Sequence, residues 1–244
     1  LPRIFPAFPD RREFDLYAFM HPAREVGGDF YDFFLIDEDH LCMVIADVSG
    51  KGIPAAMFMM RAKALLKGYA EAGMPLDEAC TQANLQLLEN NKTRMFVTAW
   101  MGIMDVTTGT MQYANAGHNP PLLKRADGSF EYLKTRAGFV LAGMDMVKYK
   151  EQELQLQPGD EIYLYTDGVT EAHNSQNELF GEERLLESLN STKGMSVEEI
   201  CKKVKEDVDA FVADGEQFDD ITMLCVRLNE INSDVGITVV PSME

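Results

Sequence analysis

What most constrains the fold of this chain is the order in which its hydrophobic period changes. Short apolar or alternating runs, the mark of strands, occupy 14–20, 29–36 and 41–47. A helical period then takes over at 53–72 and 76–90. Strand character returns at 95–105, 110–116, 121–125, 130–134, 148–156 and 161–166, before two helices at 181–190 and 196–213 and a strand at 220–228. Turn signals punctuate the series: Pro54 sits in the first turn of a helix that Gly73 ends, Pro75 precedes the next, and Thr108-Gly109, Asp127-Gly128 and Pro158-Gly159-Asp160 separate strands. Strands thus arrive in blocks broken by helix pairs, not in strict alternation. That order favours an α+β fold with helix pairs covering antiparallel sheets over a doubly wound parallel one. On the first helix, Met57, Met60, Ala64 and Leu65 fall at helical spacing and are expected to face the core.

Composition narrows the function classes. The 244 residues suit one large domain or two small ones. A net charge of -18 argues against a broad nucleic-acid footprint, which needs a basic face. It is compatible with a phosphorylated substrate, because bound cations reverse the sign locally. No apolar run reaches the roughly 18–20 residues of a membrane span, so direct membrane insertion is not expected of this segment and a cytoplasmic location is. Cys42, Cys80, Cys201 and Cys225 show no CxxC pairing and are expected as buried free thiols. His21, His40, His118 and His173 lack zinc-ligand spacing. Residues 1–13 are proline-rich and are expected to be a linker or docking segment ahead of a domain at 14–228. A start at Leu1 suggests an excised domain, and Gly236-Ile-Thr-Val-Val240, inside a tail at 229–244, resembles a strand opening a further unit.

Four acidic motifs are spread over nearly the whole chain: Gly27-Gly28-Asp29, Asp47-Val48-Ser49-Gly50-Lys51-Gly52, Tyr165-Thr166-Asp167-Gly168 and Asp219-Asp220-Ile221-Thr222. Each sets an aspartate where an apolar run meets a turn. Asp and Gly favour such places on their own account, and that suffices for any one motif. Four together point to carboxylates delivered by strand ends to one hard oxygen site suited to Mg²⁺ or Mn²⁺. The runs 29–36 and 41–47 read as a hairpin around Asp37-Glu38-Asp39, with paired residue numbers summing to 76. That register sets Asp29 opposite Asp47 on one face, where two like charges destabilise a sheet unless a cation lies between them. A carbonyl of the following turn, that of Val48, is the natural extra ligand.

These residues resemble the SpoIIE-type, RsbU-like branch of the metal-dependent serine/threonine phosphatases, the PPM superfamily. The matching stretches are Val26-Gly-Gly-Asp-Phe-Tyr-Asp32, Ala46-Asp-Val-Ser-Gly-Lys-Gly52, Ala116-Gly-His-Asn-Pro-Pro121, Leu164-Tyr-Thr-Asp-Gly168 and Phe218-Asp-Asp-Ile-Thr222, in order from about residue 14 to 228. The resemblance implies a four-layer αββα sandwich with a pair of Mn²⁺ or Mg²⁺ ions at one end. Carried over position by position, Asp47 bridges both ions, Asp29 and the Val48 carbonyl help hold one, and Asp167 and Asp219 hold the other. Asp220 competes with Asp219 for that place, and the family's final Asp-x-x-Thr pattern favours Asp219. A bridging water then attacks phosphorus in line, without a phosphoenzyme.

The same resemblance implies a substrate: a phosphoserine or phosphothreonine on a small STAS-domain anti-anti-sigma factor, in a bacterial partner-switching pathway. It further implies regulation through the segment before the domain, including dimerisation there, and through the helix at 53–72. The isolated domain is then expected to have low or strongly manganese-dependent activity. For gripping phosphate, Arg24 lies near the first acidic motif but off the family spacing, and Lys51 is the other candidate. His118-Asn119 reads as a structural loop fixed by Pro120-Pro121 in preference to a general acid. Two rivals stand beside this reading: a non-catalytic binding module of the same fold, and another metal-dependent phosphoester hydrolase such as a phosphodiesterase or nucleotide hydrolase. The second lacks a histidine-rich cluster or a Walker-type glycine loop.

Overall fold

The computed structural model of the chain describes residues 11–23, 27–134, 136–213, 215 and 217–231. Strand β3 (His40–Val48) shows how its layers arise. Alternate side chains of a strand point to opposite faces. Leu41, Met43 and Ile45 enter one apolar cluster, while Cys42, Val44 and Ala46 enter another. A strand apolar on both faces has to be covered on both.

Two five-stranded antiparallel sheets follow from this. One runs β2 (Phe30–Leu35), β3, β4 (Val97–Asp105), β5 (Thr110–Ala116) and β8 (Gln152–Gln155). The other runs β1 (Phe14–His21), β10 (Ile221–Leu228), β9 (Glu161–Tyr165), β6 (Leu122–Lys124) and β7 (Phe130–Tyr132). The central cluster between them includes Trp100, Ile162, Leu164, Leu224 and Val226. Helices α1 (Ile53–Glu71) and α2 (Leu76–Leu88) cover the outer face of the first sheet. Following the short α3 (Asp167–Thr170), helices α4 (Gly181–Asn190) and α5 (Val197–Val212) cover the second, over Tyr163, Tyr165, Met223 and Cys225. The result is the αββα sandwich that the family resemblance implied, within the α+β class that the blocked order of elements favoured. Helix α5 opens with a full capping box between Ser196 and Glu199, which satisfies two of its free N–H groups.

The first hairpin has the expected register, from Phe30 opposite Ala46 to Leu35 opposite Leu41. All four cysteines are free and buried. The strand expected at 148–156 is confined to Gln152–Gln155, and α3 was not foreseen, since one helical turn is too short to show a period. The face of α1 requires a correction. Met57 and Met60 are 68% and 63% exposed, and Ala64 is also exposed. The buried face is instead Ala55, Phe58, Met59, Ala62, Leu66 and Ala70. The first two turns of α1, from Ile53 to Met60, are apolar all round, so their period could not choose a face; the small residues Ala55, Ala62 and Ala70 let the helix lie close to the sheet. The described part of the 1–13 segment is 11–13; the expected strand at 236–240 lies outside the described residues, and no described helix is long and apolar enough to cross a membrane.

Candidate metal centre

All four acidic motifs meet at one end of the sandwich. Asp29 immediately precedes β2, Asp47 is the penultimate residue of β3, Asp167 opens α3 just beyond β9, and Asp219-Asp220 immediately precede β10. A cavity of about 250 Å³ opens there, and its wall includes Asp47, Val48, Lys51, Asp167, Asp219 and Asp220. Close backbone approach makes this convergence possible at two glycines. A Cβ on Gly168 would lie 1.9 Å from the Asp220 carbonyl oxygen, and one on Gly27 would lie 2.0 Å from Asp220 Oδ2. No larger residue fits at Gly168 without moving the backbone apart, and one at Gly27 would displace the Asp220 carboxylate.

The aspartates fall into two sets. Asp29 stands behind the wall, and Asp220, although part of the wall, has both carboxylate oxygens engaged. Asp29 is 3% exposed, and its Oδ2 accepts from Thr166 Oγ1 at 2.7 Å and Thr222 Oγ1 at 2.5 Å. Asp220 accepts from the backbone N–H groups of Ala23 at 2.8 Å and Asp29 at 3.3 Å, pinning the first acidic loop to the last. Asp29 sits one residue ahead of Phe30 on the hairpin register, in the neighbourhood of Asp47, whose charge raises the Asp29 carboxyl further. Asp47, Asp167 and Asp219 face the cavity. Asp219 has Lys51 Nζ 3.6 Å from its Oδ2, and that lysine also donates to the Phe218 carbonyl at 3.0 Å and lies over the Phe218 ring. Arg24 lies outside the described residues.

Charge is poorly compensated in this mouth. Burial, reinforced by the Asp167 charge, pushes the Asp47 carboxyl up to about 7. Burial, with Glu171 and Asp219 adding to it, pushes Asp167 up to about 6, against the opposing pull of the Gly168 N–H and Lys51. Burial and then Asp47 hold Asp29 well above the usual carboxylate range. These are carboxylates short of a cation. Among the described residues no group of three or more His, Cys, Asp or Glu side chains is already drawn close enough to hold an ion. The donor chemistry nonetheless fits a divalent cation: hard oxygens, mutually repelling, around a polar space. No described thiol offers a soft ligand there, since all four are buried in strands and helices elsewhere.

His118 is 4% exposed and does not line the cavity. Its Nε2 faces the Tyr165 carbonyl oxygen at 3.0 Å and its Nδ1 the Thr98 hydroxyl at 2.9 Å. Thr166 and Thr222 stood within the quoted motifs but were given no role there, and Thr98 was not singled out at all. A second cleft of about 140 Å³, lined by Val208, Val212, Phe218 and others, shares Asp219 with the first.

Comparison with known proteins identifies the family and the fold. The family profile described as Stage II sporulation protein E (SpoIIE) matches residues 37–229. Protein IcfG of Synechocystis is 33% identical over 250 residues, covering 91% of this chain and 39% of that protein. The phosphoserine phosphatase RsbU of Bacillus subtilis is 29% identical, covering 90% of this chain and 64% of that protein. The chain therefore spans less than two thirds of the length of these relatives. The crystal structure of the RsbU and RsbW domains of Rv1364c from Mycobacterium tuberculosis superposes with a TM-score of 0.73 at 27% identity, covering 88% of this chain and 60% of that one. On its profile match and its fold, the chain belongs to the SpoIIE family, in the RsbU-type branch of the PPM metal-dependent serine/threonine phosphatases.

Proposed function

We propose that this chain hydrolyses phosphoserine or phosphothreonine on a STAS-domain anti-anti-sigma factor, using two Mn²⁺ or Mg²⁺ ions held in the acidic mouth. The observation that carries the reading is the convergence of Asp47, Asp167 and Asp219 on one cavity with too little positive charge to balance them. Asp47, the Val48 carbonyl, Asp167 and Asp219 are the residues assigned to hold the ions. Asp29 is assigned behind them, orienting Asp47, and Asp220 is assigned to fix the loop that carries Asp29. Bound divalent ions supply Lewis-acid polarisation of a phosphoryl oxygen and a water acidic enough to be deprotonated near neutral pH. Asp47 and Asp167 would serve as ionised ligands, and the strands beneath them keep that arrangement fixed during the reaction. Lys51, on the cavity wall, is the described cation suited to meet a phosphate oxygen. The name of RsbU, a phosphoserine phosphatase, supports the substrate class.

The same reading assigns the phosphatase domain to 14–228, with 1–13 as part of a linker or docking segment, dimerisation through the linker ahead of it, and 229–244 as a tail or the start of a following domain, in a cytoplasmic protein. The test is manganese-dependent phosphate release from a phosphoserine STAS protein, with diesters and nucleotides alongside. Metal-dependent turnover of the phosphoprotein, abolished by Asp167→Asn, is the expected result. Neither turnover nor manganese binding would favour the non-catalytic module, manganese binding without turnover would point to a domain held inactive without its activating segment, and preferred turnover of a diester or nucleotide would favour a different hydrolase.

A further inference from the structure

We propose that His118 is a positioning residue: its neutral imidazole ties the two sheets together directly behind the acidic mouth and so sets the spacing of Asp47 and Asp167. The inference rests on the metal-centre reading above.

His118 hangs from the first sheet. Its backbone N–H donates to Asn115 Oδ1 at 2.7 Å and its carbonyl accepts from Asn115 Nδ2 at 3.0 Å, a two-point clamp on the end of β5. Asn115 pairs with Trp100 of β4, so the loop is fixed to the centre of that sheet. From there the ring reaches in two directions. Nδ1 meets the hydroxyl of Thr98, which lines the cavity and is the β4 partner of Asp47. Nε2 crosses to the second sheet and meets the Tyr165 carbonyl, two residues before Asp167.

A carbonyl oxygen only accepts, so Nε2 carries the proton and Nδ1 accepts from the Thr98 hydroxyl. Both ring nitrogens are therefore committed, and one side chain spans from the neighbour of Asp47 to the root of Asp167. Burial lowers the imidazole to about 4, so it is neutral around pH 7 and keeps this donor–acceptor polarity. Further polar links between the sheets at this end run from Asp29 to Thr166 and Thr222, from Asp220 to the Asp29 N–H, and from Lys51 to Asp219 and the Phe218 carbonyl. Each of these involves a charged side chain of the acidic mouth. The His118 link lies outside the carboxylate cluster and carries no charge, so it holds the spacing whether or not cations are bound. Residues that orient metal ligands from behind typically alter metal affinity 10–100-fold when removed.

A buried histidine that merely supports the core would lose stability on substitution and nothing else. The control is Asn84 on α2, which is fully buried, donates to the Met144 carbonyl at 2.9 Å and accepts from the Ala142 N–H at 2.8 Å, away from the cavity. Binding of Mn²⁺ alone to the purified chain, read by the electron paramagnetic resonance of the free ion, is measured for the wild type, His118→Ala, His118→Gln and Asn84→Ala, each well below its own melting temperature.

His118→Ala is expected to weaken Mn²⁺ binding at least tenfold. His118→Gln, which keeps a donor able to reach the Tyr165 carbonyl, is expected to recover part of that loss. Asn84→Ala is expected to melt earlier yet bind like the wild type. Should the alanine variant fail to fold, the glutamine variant carries the test, with a weakening of about threefold or more expected. Wild-type binding in the His118 variants, or equal weakening in Asn84→Ala, overturns the positioning role alone. A wild-type chain that binds no Mn²⁺ overturns the metal-centre reading, and this inference with it.

Discussion

The two ends of β9 bury acidic residues under opposite conditions. At its start, the side chains of Asp160 and Glu161 are 2% and 3% exposed, and both are matched. Asp160 meets Arg125 at 2.6 Å and accepts from the backbone N–H groups of Ala126 and Gln157, while Glu161 Oε1 meets Lys124 at 3.1 Å and Arg227 at 2.7 Å. Just beyond its other end, Asp167 shares a cavity with Asp47, Asp219 and Asp220, and Lys51 is the one described cation on that wall. Burial of a carboxylate is therefore no sign of function in itself. A buried carboxylate with its cation is architecture; a group of them without one is a site that waits for a cation.

The sharpest way to break this contrast is to neutralise one carboxylate at each end. Asp167→Asn is expected to cut turnover at least a thousandfold, about 4 kcal/mol in the barrier. It should at the same time raise the melting temperature of the metal-free chain, because one member of a mutually repelling group is gone. A variant that loses both activity and metal-free stability would contradict the comparison. Glu161→Gln should do the reverse. It strands Lys124 and Arg227 and is expected to cost about 3 kcal/mol in urea denaturation, with activity per folded molecule unchanged. An unaltered urea midpoint would show that the pairing there is dispensable.

A somewhat smaller effect concerns pH. His118 titrates near 4 when folded and near 6.5 when unfolded, so between those values the unfolded chain binds more protons and stability rises with pH. The contribution is complete above 6.5 and lost towards 4, about 3 kcal/mol in all. Asp47 and Asp167 act in the opposite sense in the metal-free chain, since their folded values exceed the ordinary carboxylate range. The difference in stability between the wild type and His118→Gln isolates the histidine, and it should grow between pH 4 and 6.5. A flat difference would mean that the imidazole is not buried neutral.

Lys51→Met is the mildest substitution. The Lys51 side chain is 37% exposed and its pair with Asp219 is 3.6 Å apart, so the expected loss of thermal stability stays within about 1 kcal/mol. A loss above about 3 kcal/mol would mean that this lysine neutralises its end of β9 as Arg125 and Arg227 neutralise theirs.

Much of this was legible along the chain. A strand shows its period over a few residues and a hairpin register follows from loop length, so the pairing of Asp29 with Asp47 could be read from 29–47 alone. Acidic residues at strand ends likewise announced where the site would form. Both Asp219 and Asp220 line the cavity, and which of them is free to hold an ion was not readable from their adjacency; family alignment favoured Asp219, and the geometry adds a reason, since the Ala23 and Asp29 N–H groups occupy Asp220. The outward turn of Met57 and Met60 was missed because helical turns that are apolar all round have no face until a sheet selects one.

By itself, then, the sequence determined the elements, their blocked order and the four carboxylate motifs, all of which depend on short-range pattern. Only the tertiary structure decided which aspartates face the cavity, which hydroxyls hold the others, and that His118 spans from Thr98 to Tyr165. Those assignments depend on contacts between residues 20 to nearly 200 positions apart, and no local period carries that information.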